Sequence, residues 1–295
     1  MSKPLRIAYL GPAGTFSEEA LLGAVGAVSL DGVELIPCAT NRDVTLATET
    51  GVADAAFVPI ENSVEGSVTE TLDALVHEAK STRIVGELVW PVHHCLIASG
   101  PAQLAEIQSV TSHPQALAQC AGYLQSALPQ GPTLVNATST SEAVRDAVSR
   151  GLPAAAIGSS VAASEYGGTV LAEAIEDVSG NATRFVWLAQ EMLSEGWLGT
   201  AAAGEWKTSV VFAGFNDTSP GGLVSILQEF ASRSVNLTKI ESRPERTTLG
   251  HYLFFADIAG QETDAAVADA LSSVRAKVRT LRVLGSFPVA TATDR

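Results

Sequence analysis

Short apolar runs rich in β-branched residues alternate with longer amphipathic stretches through the first 190 residues of the chain. Each run has the length of a strand, and the stretches between them are long enough for helices. Strands are expected at 5–10, 35–38, 53–60, 84–92, 109–111, 133–136, 154–157 and 184–188, and helices at 15–29, 41–50, 67–79, 114–128, 140–149 and 159–165. This alternation predicts an α/β architecture built on mostly parallel sheet.

The pattern of predicted strands and helices changes after residue 206. Strands are expected at 208–215, 235–241, 252–258 and 281–286, with a helix opened by Pro220 and a second at 264–278. The first of these helices carries Leu223, Ile226, Leu227 and Phe230 on one face. The order βαββαβ predicts a ferredoxin-like module at 207–287. The Gly- and Ala-rich segment 193–206 is expected to be a linker after a larger region, 1–192.

Charge and composition exclude several classes of partner. The formal net charge of -14 argues against binding to nucleic acid or to an anionic membrane surface. No apolar run is long enough for a membrane span, and the N-terminus leads directly into a strand-like segment, so no signal peptide is expected. Three widely spaced cysteines predict neither a disulfide framework nor a zinc site. A cytoplasmic protein is therefore expected.

Polar loops follow several of the predicted strands. Free N–H groups at helix N-termini and short hydroxyl side chains suit a carboxylate or phosphate, although most such residues only cap helices. The loops are 10–17, 59–67, 112–115, 138–141 and 158–160. A dinucleotide site is excluded because Gly11 and Gly14 have the wrong spacing. With eight basic residues before position 207, a bound anion must depend largely on N–H and hydroxyl donors.

The string His93-His94-Cys95 has metal-ligand residue types but an unfavourable geometry. Neighbouring residues on a strand point to opposite faces, so the two imidazoles would not reach one ion. A structural role is therefore favoured over a metal site, and no other metal-binding spacing occurs in the sequence.

Five strings, in order, give the chain a resemblance to prephenate dehydratases along nearly its whole length. They lie at 11–18 (GPAGTFSE), 59–67 (PIENSVEGS), 112–117 (SHPQAL), 181–185 (NATRF) and 241–244 (ESRP). The resemblance implies a bilobed catalytic region like the type II periplasmic-binding architecture, with lobe one at about 1–85 and 168–192 and lobe two at about 86–167. An ACT regulatory domain would follow. The implied reaction converts prephenate to phenylpyruvate, water and CO2, without a metal or organic cofactor.

The resemblance also implies a set of site residues. The threonine that the family ties to catalysis matches Thr183, which we interpret as a hydrogen-bond donor to the departing hydroxyl. Strand alternation places Thr183 and Phe185 on one face and Arg184 on the other, so Arg184 either holds a substrate carboxylate or pairs with a neighbouring acid. The expected substrate contacts are Thr15, Asn62, Ser63, Gln115, Thr140, Arg184 and Phe185.

Two strings in the C-terminal module, 219–224 (SPGGLV) and 236–244 (NLTKIESRP), resemble the effector-binding strings of ACT domains in this family. The first commonly reads Gly-Ala-Leu-Val, and Gly222 stands here at the alanine position. The implied effector is L-phenylalanine acting as a feedback inhibitor, and the implied assembly is a homodimer or homotetramer. The expected effector residues are Gly221, Gly222, Leu223, Val224, Asn236, Leu237, Glu241, Ser242, Arg243 and Pro244.

Two other functions stay open at this point. One is a related dehydratase that accepts arogenate and gives phenylalanine directly. The other is a non-catalytic small-molecule sensor with the same binding fold, which would normally carry a basic DNA-binding segment. No basic segment precedes Leu5, so the enzyme is favoured over the sensor.

Overall fold

The computed structural model describes residues 4–25, 32–128, 130–191, 201–215, 220–246 and 250–290, apart from the side chains of 201–203. The helices are α1 Phe16–Val25, α2 Asn41–Leu46, α3 Thr69–His77, α4 Pro114–Gln119, α5 Ala121–Ala127, α6 Thr140–Arg150, α7 Ser160–Tyr166, α8 Gly222–Ala231 and α9 Ala265–Arg275. The strands are β1 Leu5–Leu10, β2 Val33–Cys38, β3 Ala55–Asn62, β4 Gly66–Ser67, β5 Arg83–Pro91, β6 Cys95–Ala98, β7 Ser109–Ser112, β8 Thr133–Asn136, β9 Ala154–Gly158, β10 Thr169–Ala172, β11 Ala182–Ala189, β12 Ala201–Ala213, β13 Leu237–Pro244, β14 Tyr252–Ala259 and β15 Thr280–Ala290. Residues 26–29 of the first predicted helix and 193–200 of the predicted linker lie outside the described residues.

Two sheets form the larger region. The first has the order β2-β1-β3-β11-β5, with β4 paired to β3, and the second has the order β10-β6-β9-β7-β8. The prediction of mostly parallel sheet is wrong in part, because β11 runs antiparallel to both β3 and β5 and β6 runs antiparallel to β9 and β10. In each sheet this reversed strand is the first one after the chain crosses between the lobes: β6 follows the first crossing and β11 follows the second.

The boundaries between the two lobes differ from the predicted ones. Strand β5 lies entirely in the first sheet and β10 lies in the second, so the chain crosses between lobes at 92–94 and again at 173–181. The predicted crossings near 85 and 168 fall inside or beside these strands. Sheet membership depends on residues far apart in the chain, so the sequence gives these boundaries only approximately.

Side-chain caps fix where the helices of the second lobe begin. Ser139 Oγ accepts the N–H of Glu142 at the start of α6, and Ser159 Oγ accepts the N–H of Ala162 at the start of α7. The single helix predicted at 114–128 is in fact two helices, α4 and α5. The carboxylate of Asp177 accepts the N–H groups of Gly122 and Tyr123, and this cap starts a new helix at that point.

The C-terminal module is an antiparallel sheet in the order β13-β14-β12-β15, with both helices against one face. This is the ferredoxin-like order predicted from βαββαβ, and the fold class of a bilobed α/β region followed by such a module is confirmed. Strand β12 begins at Ala201 and so includes residues 201–206 of the segment expected to be linker.

The other face of the module's sheet packs on the first lobe. One apolar cluster contains Val58 and Val186 of the lobe together with Phe255 and Phe287 of the module. Strands β15 and β5 lie so close that a Cβ at Gly285 would stand 2.0 Å from the carbonyl oxygen of Ile84. A side chain at that position would separate the two backbones, so glycine is required there. The module is therefore joined directly to the sheet that carries Thr183.

No helix in the described part of the chain has the length and apolar content needed to cross a bilayer. Cys38, Cys95 and Cys120 are free thiols. Burial raises the pKa of Cys95 and of Cys120 to about 12, so neither thiol is ionised to a useful extent near neutral pH.

Candidate functional site

A cavity of about 270 Å³ lies between the two lobes. Its walls come from the loops that follow β1, β3, β7 and β8, together with the start of β11. The lining residues are Leu10, Gly11, Thr15, Phe16, Ser17, Asn62, Val92, His94, His113, Gln115, Ala116, Gln119, Thr138, Ser139, Thr140, Asn181 and Thr183. No lysine, arginine, aspartate or glutamate is among these described lining residues, so the cavity is polar without carrying a charged side chain.

Thr183 and Asn62 face each other across two paired strands. Strands β11 and β3 are in register at these residues, and the Asn62 Nδ2 donates to Thr183 Oγ1 over 2.9 Å. The Asn62 Oδ1 accepts the N–H groups of Val64 and Glu65 at 2.9 and 3.0 Å, which fixes the orientation of the amide. The Thr183 oxygen therefore accepts from Asn62, and its own hydrogen is available for a group in the cavity.

The loop after β1 supplies one end of the cavity. Thr15 Oγ1 donates to the carbonyl of Leu10 at 2.7 Å and accepts from the N–H of Glu18 at 3.3 Å. Its hydroxyl hydrogen is committed to that carbonyl, so Thr15 shapes the cavity wall more than it offers a donor. Phe16 and Ser17 in the first turn of α1 also line the cavity, and their N–H groups have no partner within the helix.

The second lobe supplies the opposite wall. Gln115 lies in the first turn of α4, where its N–H donates to Nδ1 of His113 at 3.3 Å. Thr140 is the first residue of α6, next to the capping Ser139. The N-termini of α1 and α6 thus meet at one cavity, and both present the positive end of a helix dipole. The arrangement favours an anion in the cavity.

His94 and Gln119 are functional candidates that the sequence reasoning missed. His94 is buried, and its Nε2 lies 2.8 Å from Oε1 of Gln119. The Nε2 of Gln119 donates to Glu65 at 3.3 Å, which assigns the amide orientation and places the imidazole hydrogen on Nε2. Burial lowers the pKa of His94 and keeps the ring neutral. The spacing of Gln115 and Gln119, one helical turn apart, is the signal that indicates Gln119.

Asn181 is a third missed residue and connects the two sides of the cavity. Its Oδ1 accepts from Asn62 Nδ2 at 2.8 Å, and its Nδ2 lies 3.5 Å from Oε1 of Gln119. The side chain belongs to the second crossing between lobes. A continuous line of polar contacts therefore runs from His94 through Gln119, Asn181 and Asn62 to Thr183.

Three of the predicted substrate contacts, Ser63, Phe185 and Arg184, do not line the cavity. Ser63 exchanges hydrogen bonds with the backbone of Ala182 and holds the start of β11 without lining the cavity. Phe185 has the predicted face, but it is buried and stacks on Phe57 with ring centroids 4.7 Å apart. It lies in the core beneath the site, because the sheet continues past Thr183 under α1.

Arg184 is also away from the cavity. Its guanidinium donates to Glu87 at 2.7 Å and to Asp257 at 2.6 Å, on the module side of the sheet. The expectation that it holds a substrate carboxylate is therefore corrected in favour of the acidic pairing that was its alternative. The physical reason is strand alternation, which turns Arg184 away from the face that carries Thr183.

The predicted effector residues occupy the start of α8 and the edge strand β13. Gly221, with φ +86, caps α8, and Gly222 is the first residue of that helix. Along β13, Ser242 and Pro244 are exposed, whereas the Glu241 carboxylate accepts from Ser67 and Arg243 pairs with Asp73 at 3.1 Å. Glu241 and Arg243 therefore contact the catalytic region within the same chain.

The described residues contain no group of three side chains suited to a metal ion. His93 Nδ1 lies 2.7 Å from Glu176, and His94 is directed to Gln119, so the two neighbouring imidazoles have different partners. The donors at the cavity are hydroxyls, amides, one neutral imidazole and N–H groups. Such a set suits hydrogen bonding and charge stabilisation of an organic anion.

Comparisons with known proteins match both regions of the chain. The family model for prephenate dehydratase matches residues 7–193, and that for the ACT domain matches residues 210–276. A prephenate dehydratase from Amycolatopsis methanolica is 40% identical over 96% of this chain and 88% of its own. The solved prephenate dehydratase from Arthrobacter aurescens, in complex with L-Phe, is 37% identical, with a TM-score of 0.84 over 96% of this chain and 90% of the other.

A further solved structure, of GqqA, is described as a novel type of quorum quenching acylase. It is 28% identical, with a TM-score of 0.80 over 96% of this chain and 98% of the other. The two family matches occur in the same order and on the same two structural regions that the fold defines. The chain belongs to the prephenate dehydratase family.

Proposed function

We propose that this chain is a prephenate dehydratase that converts prephenate to phenylpyruvate, water and CO2 in L-phenylalanine biosynthesis. The observation that carries the proposal is the hydroxyl of Thr183, which accepts from Asn62 and keeps its own hydrogen free at the cavity. Prephenate needs such a donor where its ring hydroxyl departs.

The reaction breaks two bonds in the ring substrate. The ring carboxylate leaves as CO2, its bonding electrons enter the ring, and the C–O bond at the opposite carbon breaks to release the hydroxyl, which takes up a proton and becomes water. Aromatisation drives the reaction, so the protein orients the substrate and stabilises the charge on the leaving oxygen. A preorganised donor contributes about 3–4 kcal/mol to such a step.

Asn62 strengthens Thr183 as a donor. When Asn62 donates to the Thr183 oxygen, it polarises the hydroxyl and makes the remaining hydrogen a better donor. The Asn62 amide is itself held by Val64 and Glu65, so the pair is rigid before the substrate arrives. Rigidity matters because a donor that must reorient during the reaction gives less stabilisation.

Substrate binding would depend on backbone dipoles and neutral donors. Prephenate carries two carboxylates, and the first turns of α1 and α6 lie at the cavity. The described cavity lining also has no acidic side chain to pair with the ammonium of arogenate. This favours prephenate, with its keto group, over the arogenate alternative.

The direct test is an ultraviolet assay of phenylpyruvate formation from prephenate, with arogenate in a parallel reaction. We expect turnover of prephenate and a lower kcat/KM for arogenate. Thr183→Ala, purified identically, is the control for contaminating activity. Absence of prephenate turnover by the parental chain would remove the proposal.

The likeness to GqqA supplies an acylase as second candidate. Acyl transfer by a threonine needs a base that removes the hydroxyl proton. Among the contacts of the described residues, Thr183 receives a hydrogen bond from Asn62 and has no histidine or carboxylate within hydrogen-bonding distance. The arrangement therefore favours donation by Thr183, as the dehydration requires, over nucleophilic attack.

We also propose that phenylalanine binds the ACT module and inhibits, and that two chains pair through that module in the cytoplasm. Strand β13 is an edge of the sheet, and Ile240 and Val224 are exposed apolar residues on the module. Pairing of β13 with a second copy would cover this edge. The three free cysteines suit a reducing compartment. Activity measured against phenylalanine concentration, together with light scattering, tests both regulation and assembly.

A further inference from the structure

Two adjacent pairs of residues lie on opposite faces of the same two strands. Thr183 is opposite Asn62, and the next pair along is Arg184 opposite Glu61. Because side chains alternate along a strand, the first pair faces the cavity and the second faces the C-terminal module. The residue next to Thr183 is therefore the one through which β11 contacts the module.

Arg184 is held by carboxylates from both sides of this interface. Its Nε donates to Glu87 of β5 at 2.7 Å, and its Nη1 donates to Asp257 of β14 at 2.6 Å. The three side chains are between 2% and 11% exposed. Burial lowers the pKa of Arg184, but the charges of Asp257 and Glu87 outweigh it and raise that pKa, so the guanidinium stays charged.

Each carboxylate has a further partner in the module. Lys207 donates to Glu87 at 2.9 Å, and the hydroxyl of Ser209 donates to Asp257. Glu61 is bonded to Lys239 of β13 at 3.1 Å and lies 3.6 Å from Arg184. Strand β13 is also the strand that carries the predicted effector residues Glu241–Pro244. A connected set of charges therefore runs from β13 and β14 to the backbone of Glu61 and Arg184.

We propose that Arg184, held by Asp257 of the module, is a positioning residue for Thr183. Loss of a partner by a buried charge is unfavourable, so any displacement of Asp257 on β14 would pull the Arg184 side chain with it. Consecutive Cα atoms are about 3.8 Å apart, so the displacement reaches the Thr183 backbone directly. This inference rests on the proposed dehydratase activity, which gives Thr183 its role.

The alternative is that the cluster formed by Arg184, Glu87 and Asp257 only holds the module on the catalytic region. Fastening predicts a loss of stability without a change in the turnover of the folded enzyme. Positioning predicts a lower kcat with KM nearly unchanged, because the hydroxyl of Thr183 acts on the leaving oxygen more than on the bound substrate.

The test is Asp257→Asn in the full-length chain, with Glu262→Gln as the matched control. Glu262 pairs with Arg83 at 2.7 Å across the same interface, on half-exposed side chains, and Arg83 lies opposite Ala189, at the other end of β11 from Thr183. For Asp257→Asn we expect kcat to fall about tenfold to a hundredfold with KM within about twofold, because small displacements of reacting groups have effects of this size. Glu262→Gln is expected to keep the parental kcat.

Two further variants separate positioning from folding. Asp257→Glu restores the charge and should recover part of kcat. The double variant Arg184→Met with Asp257→Leu replaces the ion pair with apolar side chains and leaves Glu87 paired with Lys207. Such replacements often preserve stability, so this variant should keep the parental melting temperature and still have the low kcat.

The outcomes distinguish this inference from the proposed function. If the parental chain fails to convert prephenate, both are overturned. If the parental chain is active and Asp257→Asn keeps its kcat while its melting temperature falls, the cluster is only a fastening and positioning by Arg184 is overturned. A low kcat in both Asp257→Asn and Glu262→Gln would likewise overturn it, since any disturbance of the interface would then have the same effect.

Discussion

The side-chain nitrogen of Asn62 donates to the hydroxyl oxygen of Thr183 over 2.9 Å. This contact makes Thr183 a donor to the cavity, because the oxygen already accepts a hydrogen and the amide cannot accept one from it in return. The direction of this hydrogen bond fits a reaction in which an oxygen leaves.

Replacement of Thr183 by alanine is expected to lower kcat by a factor of about 10²–10³, the usual result of losing one preorganised donor. Thr183→Ser keeps the hydroxyl and should retain much of the activity. Steady-state kinetics and circular dichroism of both variants check this. A near-normal rate for Thr183→Ala would exclude Thr183 from the mechanism.

Asn62→Asp reverses the direction of the hydrogen bond without changing the size of the side chain. The carboxylate can still accept the N–H groups of Val64 and Glu65, but it would now accept the hydrogen of Thr183 as well. We expect the fold to persist and kcat to fall by about 10², similar to the loss of one donor. If Asn62→Asp has parental kinetics, the donor role assigned to Asn62 is wrong.

Gly14→Ala is expected to disturb the contact between the lobes beside the cavity. Gly14 has φ +80, and an added Cβ would stand 3.0 Å from both Ser141 Oγ and the Cα of Ala162. The loop also receives a hydrogen bond from Ser159 Oγ, at 2.8 Å to the Gly14 carbonyl. Both the melting temperature and kcat/KM should fall.

Gly100→Ala is the control for that substitution, because a Cβ at Gly100 meets nothing within 4 Å. It should leave both quantities near their parental values. Equal behaviour of the Gly14 and Gly100 variants would show that the conformation of the Gly14 loop is not needed.

The buried imidazole of His94 predicts a loss of stability in mild acid. Its pKa lies below the ordinary value of 6.5, because burial disfavours the charged ring more than Gln119 and the nearby charge of Glu176 favour it, and His93 opposes the charge further. Below pH 6.5 the unfolded chain takes up this proton more readily than the folded chain, so the free energy of unfolding decreases as pH falls through this window.

Urea unfolding of the parental chain and of His94→Gln between pH 7.5 and 5 tests this. The variant should lose part of the pH dependence. The window stays above the range in which Glu49 contributes: desolvation raises the pKa of Glu49, but hydrogen bonds from Thr82 and Ser81 outweigh it and lower that pKa to about 2. Its contribution is present above about pH 4.5 and is lost as pH falls towards 2. Identical slopes for the two proteins would contradict the role of His94.

Ile240→Asp is expected to dissociate the proposed pair of chains. Ile240 is 45% exposed on the edge strand of the module, and a carboxylate there would oppose burial in an interface. Val178→Asp is the control, because Val178 is 60% exposed in the catalytic region. Light scattering should give a smaller mass for Ile240→Asp and the parental mass for Val178→Asp; the reverse result would place the interface elsewhere.

The ferredoxin-like order, the two regions and the candidate role of Thr183 were accessible from the sequence. Apolar periodicity is a local property, so it located most strands within a few residues, including those of the module. The family was identified from five strings, at 11–18, 59–67, 112–117, 181–185 and 241–244. Each string alone is too short to be specific, but all five in a fixed order are. Strand alternation also correctly placed Thr183 and Arg184 on opposite faces of the strand.

The tertiary structure alone decided which sheet contains β5 and β10, and what Arg184 contacts. Sheet membership and ion pairing depend on residues far apart in the chain: Asp257 and Glu87 lie 73 and 97 positions from Arg184. The same holds for His94, whose neutrality follows from burial and from Gln119. The sequence determined which side chains share a face of a strand, and long-range packing determined the partners that fix their charge and position.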